Sequence, residues 1–166
     1  MDARTQPAEG RLKYWLPAIA WAIWISWAST DMFSANHTSR FIIPVLHWLL
    51  PHASAETLEK LHFLIRKTAH LTEYFVFSCL LLRGVRGKQR GWQIRWALAA
   101  LAMAAGYSAL DEFHQSFVAS RTASPWDSAL DTTGAAAAQF VLWLWFRLHS
   151  RIRSNVENEV APAVRD

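Results

Sequence analysis

The sequence predicts an all-α, polytopic membrane protein with four transmembrane helices and an interfacial or re-entrant segment between the first and second. Three observations predict it. Four apolar stretches come close to bilayer-spanning length once a few ionisable residues are counted inside them. The chain of 166 residues is 52% hydrophobic and holds 10 Trp, a density that suits the headgroup layer better than a soluble core. Its Lys and Arg residues gather at the ends of the apolar stretches. Mean hydropathy is only +0.06, because Trp, Tyr and Pro score low and the termini are polar.

The first span runs from Leu12 to Thr30. Arg11 and Lys13 precede an uncharged run, and Pro17 is expected near the helix start, where a missing N–H matters least. A cleavable signal peptide is the rival reading, with Ser26-x-Ala28 as a weak cleavage site, but the apolar run is long and Trp-rich for that role. Phe41 to Leu50 is too short to span and is bracketed by Pro44 and Pro51, hence the interfacial or re-entrant reading. Ser54 is placed to cap a further helix, with Glu56 in its first turn. Leu58, Leu61, Phe63, Leu64 and Ile65 give that helix an apolar side, so it is expected to lie along the surface before the chain turns inward.

The second span is Lys67 to Leu82, the third Trp92 to Leu110 and the fourth Asp127 to Phe146. Gly84 and Gly87 break the chain after the second, and Ser124-Pro125 suits the start of the fourth. Residues 1–150 then form one transmembrane domain, and residues 151–166 a polar, disordered tail. Basic residues at the N-terminus, in 83–95 and in 147–153 fall on one side of a four-span topology. The positive-inside rule puts both termini in the cytoplasm of a bacterial inner membrane.

The ionisable residues inside the spans are the functional clue, because a charge in hydrocarbon is costly unless paired, hydrated or useful. Lys67, Asp111 and Asp131 each lie 16 residues from a basic inner anchor, at Arg83, Arg95 and Arg147 respectively. At the helical rise they sit roughly 24 Å up, with His70 and Tyr107 about 18–20 Å up and Glu73 near 15 Å. Lys67, His70 and Tyr74 share one helical stripe; Asp111, Glu112 and Gln115 cluster, with Ser108 one turn below; Asp127 and Asp131 are i, i+4. Gly134 and Ala138 continue that face as a small-xxx-small pair, which permits close helix approach.

Each group also has a plain reading. Lys67 snorkels, His70 packs between helices, Tyr74 and Tyr107 are core aromatics, Asp127 caps a helix, and the Asp111/Glu112 pair is a solvated helix end. The plain readings explain the residues singly, but not their common level. Adjacent carboxylates there need a proton, a cation or a metal, and Arg121 is the expected counter-charge. No compact metal signature is present, so no metal and no cofactor is expected. Cys79 is the sole cysteine and excludes an intramolecular disulfide. Nucleic acid is not an expected partner, since no basic face is formed.

At these residues the chain resembles the VanZ-like family of bacterial membrane proteins. The resemblance runs through Arg66-Lys67-x-x-His70-x-x-x-Tyr74, Asp111-Glu112-x-x-Gln115-x-Phe117, Arg121, Asp127, Asp131 and Gly134, over roughly residues 12–148. The family often has Pro-Gly where this chain has Ala119-Ser120, and a second glycine where it has Ala138. The resemblance implies a cell-envelope role of the antibiotic-resistance type, since the founding member is associated with teicoplanin resistance.

The expectation is an outward-facing polar cleft that binds or modulates a lipid-linked cell-wall precursor or envelope protein. Its ligand-binding residues are Lys67, His70, Tyr74, Asp111, Glu112, Gln115, Arg121, Asp127 and Asp131. The alternative is an intramembrane enzyme acting on a lipid headgroup or phosphoester, with His70 as acid or base and Asp111 or Glu112 as its partner. A proton-coupled carrier is disfavoured, because four spans are few and no inverted repeat is visible. A purely structural polar network is the remaining reading, ranked lower because single interhelical hydrogen bonds add only about 0.6 kcal/mol.

Overall fold

The computed structural model of the chain describes residues 8–30, 34–117 and 124–160. Among these there are five helices and no strands: α1 (Ala8–Ala28), α2 (Ala35–Leu49), α3 (Ala55–Arg86), α4 (Ile94–Gln115) and α5 (Pro125–Val160). The central element is α3, which packs against each of the other four.

The bundle is antiparallel with one basic end. Arg83 of α3 lies over the ring of Tyr14 near the start of α1, and Arg86 over Phe146 of α5. At the opposite end Lys67 of α3 pairs with Asp127 at the start of α5, and Ser29 at the end of α1 bonds Asp111 on α4.

Helix α3 is longer than the sequence suggests. It runs unbroken for 32 residues, so the expected bend between a surface helix and the second span is absent. No Gly or Pro falls between Ala55 and Arg83, so nothing in the chain ends the hydrogen-bond ladder there. Ser54 caps it by accepting from the Thr57 N–H, with Glu56 in the first turn. The helix stops at Gly87, whose φ of 59° belongs to the left-handed region. Gly84 is not a breaker but a helical residue: a Cβ there would come within 2.8 Å of the Trp15 ring, so its bare backbone admits the indole.

The other boundaries differ in smaller ways. Pro17 and Pro44 lie inside α1 and α2 respectively instead of at their edges. Pro125 opens α5, where its missing N–H has no helical partner to lose. Helix α5 carries ten residues past Ser150, the sequence-based edge of the domain, and no Gly or Pro interrupts that stretch before Pro162. Residues 161–166 of the expected tail lie outside the described residues.

One side of α4 shows how the sequence sets the packing. Trp96, Ala100, Ala104, Ser108, Asp111 and Gln115 follow helical spacing and are all buried. Small Ala100 and Ala104 let α4 approach the core residues Tyr74, Phe77 and Leu81 of α3. The same stripe turns polar from Ser108 onward. The opposite face of α4 is apolar and exposed, with Leu110 and Phe113 at 67% and 66%. Among the described residues, no helix is long and apolar enough to cross a membrane. Tryptophans and the inward-facing ionisable residues both reduce the average hydropathy of the helices that carry them.

Candidate functional site

The acidic end of the bundle assembles from five pieces of chain. Helix α3 supplies Lys67, His70 and Tyr74, α4 supplies Ser108, Asp111, Glu112 and Gln115, and α5 supplies Asp127, Ser128 and Asp131. Ser29 follows α1, and Ser124 precedes α5.

Asp131 is the deepest charge, 2% exposed. Its Oδ2 accepts from Ser108 Oγ at 2.8 Å, and Ser108 Oγ lies 3.1 Å from Ser128 Oγ. Its Oδ1 has no hydrogen bond and stands 3.7 Å from His70 Nδ1. Asp111 Oδ2 accepts from Ser29 at 2.6 Å and from Gln115 at 2.9 Å. Glu112 Oε2 accepts the Ser124 backbone N–H at 2.8 Å. Arg121, the counter-charge expected for the acidic pair, lies outside the described residues. Hydroxyl, amide and backbone donors thus do what a cation would otherwise do for two neighbouring carboxylates.

Lys67 pairs with Asp127, both about a quarter exposed, and its ammonium lies 5.2 Å from the Phe63 ring centroid. Tyr74 is wholly buried, with Ser108 beside its hydroxyl. Tyr107 donates to the Ala22 carbonyl at 2.7 Å and shares a 2.6 Å hydrogen bond with Ser26, tying α4 to α1. A second polar clamp sits nearer the middle, where Gln139 Nε2 reaches Ser78 Oγ at 2.8 Å and Ser78 bonds the Ala135 carbonyl.

The open space lies beside this network. A groove of about 550 Å³ runs between α1, α2 and α3. Trp21 and Trp24 of α1, Ile42 of α2 and Ile65 and Val76 of α3 give it apolar lining. Arg66, Thr68, His70, Thr72 and Glu73, on the same stretch of α3, give it polar lining. Arg66 Nη1 donates to Thr38 Oγ1 at 3.3 Å, which links α3 to α2 at the groove rim. Ser29 and His70 line the groove and also touch the acidic network, through Asp111 and Asp131 respectively.

Of the nine residues expected to bind a ligand, Arg121 lies outside the described residues and the other eight divide. His70 lines the groove. Tyr74, Asp111, Glu112, Gln115 and Asp131 are buried behind it. Lys67 and Asp127 line a separate surface depression with Phe63, Trp126 and Leu130. Among the described residues, no group of three or more His, Cys, Asp or Glu side chains could hold a metal ion.

Ser29, Arg66 and Thr38 are groove residues that the sequence did not single out as ligand contacts. Their signal was weak. Ser26 and Ser29 are i, i+3 at the polar end of the first apolar run, and only a packed partner shows which way that face points.

A bundle with a basic end, a buried acidic end and a groove between its first three helices defines the class. The chain belongs to the VanZ/LLP1 family, whose model matches residues 14–147. No curated protein and no solved structure matches it.

Proposed function

We propose that this chain is a bilayer-embedded envelope protein whose α1–α2–α3 groove binds the headgroup region of an anionic, lipid-linked molecule. The single observation that carries the reading is the mixed lining of the groove. Indole and aliphatic surface stands beside Arg66, His70, Glu73 and the hydroxyls of Ser29, Thr38, Thr68 and Thr72. An amphiphile whose phosphate or carboxylate head meets Arg66 and His70 matches both kinds of lining.

The bilayer setting is supported by the inverted distribution of polarity. Ionisable Asp111, Glu112 and Asp131 are buried, whereas Ile23, Leu98, Leu110, Phe113, Phe140 and Val141 face outward. A soluble domain of this size rarely exposes so many large apolar side chains. Averaging hydropathy along a helix hides this division, because it mixes the two faces. The basic end then faces the cytoplasm and the groove opens near the outer leaflet. A glycopeptide-susceptibility role of the kind the family resemblance implies fits an outward-facing groove for a cell-wall precursor.

The test is binding of polyprenyl phosphate against the matching polyprenol by the purified chain, followed by native mass spectrometry. The phosphate form is expected to bind at least about tenfold more tightly, and Arg66→Gln to remove most of that difference. Equal retention of the phosphate and the alcohol would end this reading.

A second reading, an enzyme acting on a phosphoester at the same groove, draws on the His70–Asp131 approach. The carboxylate stands 3.7 Å from Nδ1, longer than a hydrogen bond, and would orient the imidazole, with Nε2 as the working nitrogen, once the pair closes in a substrate complex. The partner is then Asp131 instead of the Asp111/Glu112 pair, whose oxygens bond Ser29, Gln115 and Ser124. Turnover of labelled polyprenyl diphosphate or phospholipid that vanishes in His70→Ala supports it; turnover that persists removes His70 from the chemistry.

A further inference from the structure

We infer that the basic end of the bundle carries a second, separate site, for one anionic phospholipid of the leaflet on that side. It lies between α4 and α5, remote from the α1–α2–α3 groove. An apolar slot of about 370 Å³ is walled by Ile94, Leu98 and Leu101 of α4 and Phe140 of α5. Trp92 and Trp143 also line the slot, and the same two indoles line an adjoining hollow of about 520 Å³ with Arg147 and His149. An apolar slot and a cationic hollow thus adjoin, with the two tryptophans between them, where indoles favour the headgroup level.

Two buried donors lie near the mouth, the Trp92 indole N–H and Arg86 Nε, and among the described residues neither makes a hydrogen bond. Arg86 stands against the hollow's lining: its Nη1 donates to the Gly91 carbonyl at 3.4 Å, and its guanidinium lies 5.4 Å from the Phe146 ring centroid. Both Gly91 and Phe146 line the hollow. Arg147 is held 5.2 Å from the Trp143 ring centroid. Among the described residues, no carboxylate lines either cavity. Arg147 and His149 line the hollow and the Arg86 guanidinium stands behind two of its lining residues, so its charge favours a head with net negative charge over a zwitterion. The slot takes part of one acyl chain.

The experiment is a native mass spectrometry titration of the full chain in detergent with dioleoylphosphatidylglycerol and, separately, dioleoylphosphatidylcholine. One phosphatidylglycerol is expected to be retained at about tenfold lower lipid concentration than phosphatidylcholine. Arg147→Gln is expected to abolish that preference, while Lys60→Gln, which removes an exposed charge at the other end, keeps it. Leu98→Trp, at an outward-facing position, fills the slot and lowers retention of both lipids. Millimolar inorganic phosphate is not expected to displace the lipid. Equal retention of the two lipids, a preference that survives Arg147→Gln, unchanged retention in Leu98→Trp, or displacement by phosphate alone would each overturn the assignment. Polyprenyl phosphate binding, read in the same variants, separates failure here from failure of the groove reading.

Discussion

Gly134 of α5 lies against the carbonyl oxygen of Leu71 on α3 so closely that a Cβ at Gly134 would clash with that oxygen. Ala135 and Ala138 beside it are fully buried. This contact fixes how near α5 stands to α3, and so sets the spacing of the His70–Asp131 and Lys67–Asp127 pairs one and two turns further on.

Gly134→Ala is therefore expected to destabilise the fold by about 1–3 kcal/mol, since a backbone oxygen cannot swing aside as a flexible side chain would. Gly106→Ala is the control. A Cβ there meets nothing within 4 Å, and the change is expected to stabilise by about 0.5–1 kcal/mol through helix propensity. Unfolding midpoints of both variants in the same detergent check the pair.

Ser108→Ala removes the only hydrogen bond described for Asp131, leaving a buried carboxylate without a donor. A loss of about 1–3 kcal/mol is expected. Ser116→Ala, which removes only a bond to the neighbouring Phe113 carbonyl at an exposed position, should stay within about 0.5 kcal/mol. The same unfolding assay distinguishes the two.

The Lys67–Asp127 pair is half-screened, and a double-mutant cycle with Lys67→Met and Asp127→Asn is expected to give a coupling of about 0.2–1 kcal/mol. The coupling should shrink between low and high salt, because the pair is open to solvent on the side of Phe63 and Trp126. A coupling that is large and insensitive to salt would show that the pair is sealed from water.

Much of this architecture was legible in the chain. Helical spacing placed Lys67 and His70 on a face that meets α5, and Gly134 and Ala138 on a face that admits it. The Ser54 cap and the Pro125 start follow directly from local chemistry. Other features were hidden for physical reasons. Gly84 looks like a breaker until Trp15 fills the space above it. The long α3 was divided because apolar surface alone cannot say whether a helix bends where no residue compels it. The sequence alone puts Asp111 and Glu112 in one polar cleft with Lys67, His70, Tyr74, Gln115, Arg121, Asp127 and Asp131, since spacing gives a shared level but not which side chains are enclosed. In the structure those carboxylates find hydroxyl and amide partners, Ser29 and Gln115 among them, and turn inward.

Inverted polarity, with charges inside and hydrocarbon outside, is the claim on which the rest depends. Its most direct measurement is spin-label accessibility in lipid nanodiscs, in a Cys79→Ser background, with labels placed singly at Leu98, Leu110, Phe113 and Phe140. The account predicts that dissolved oxygen relaxes these labels efficiently and that a water-soluble nickel complex does not. Strong relaxation by the nickel complex at all four positions would place this surface in water and contradict the account.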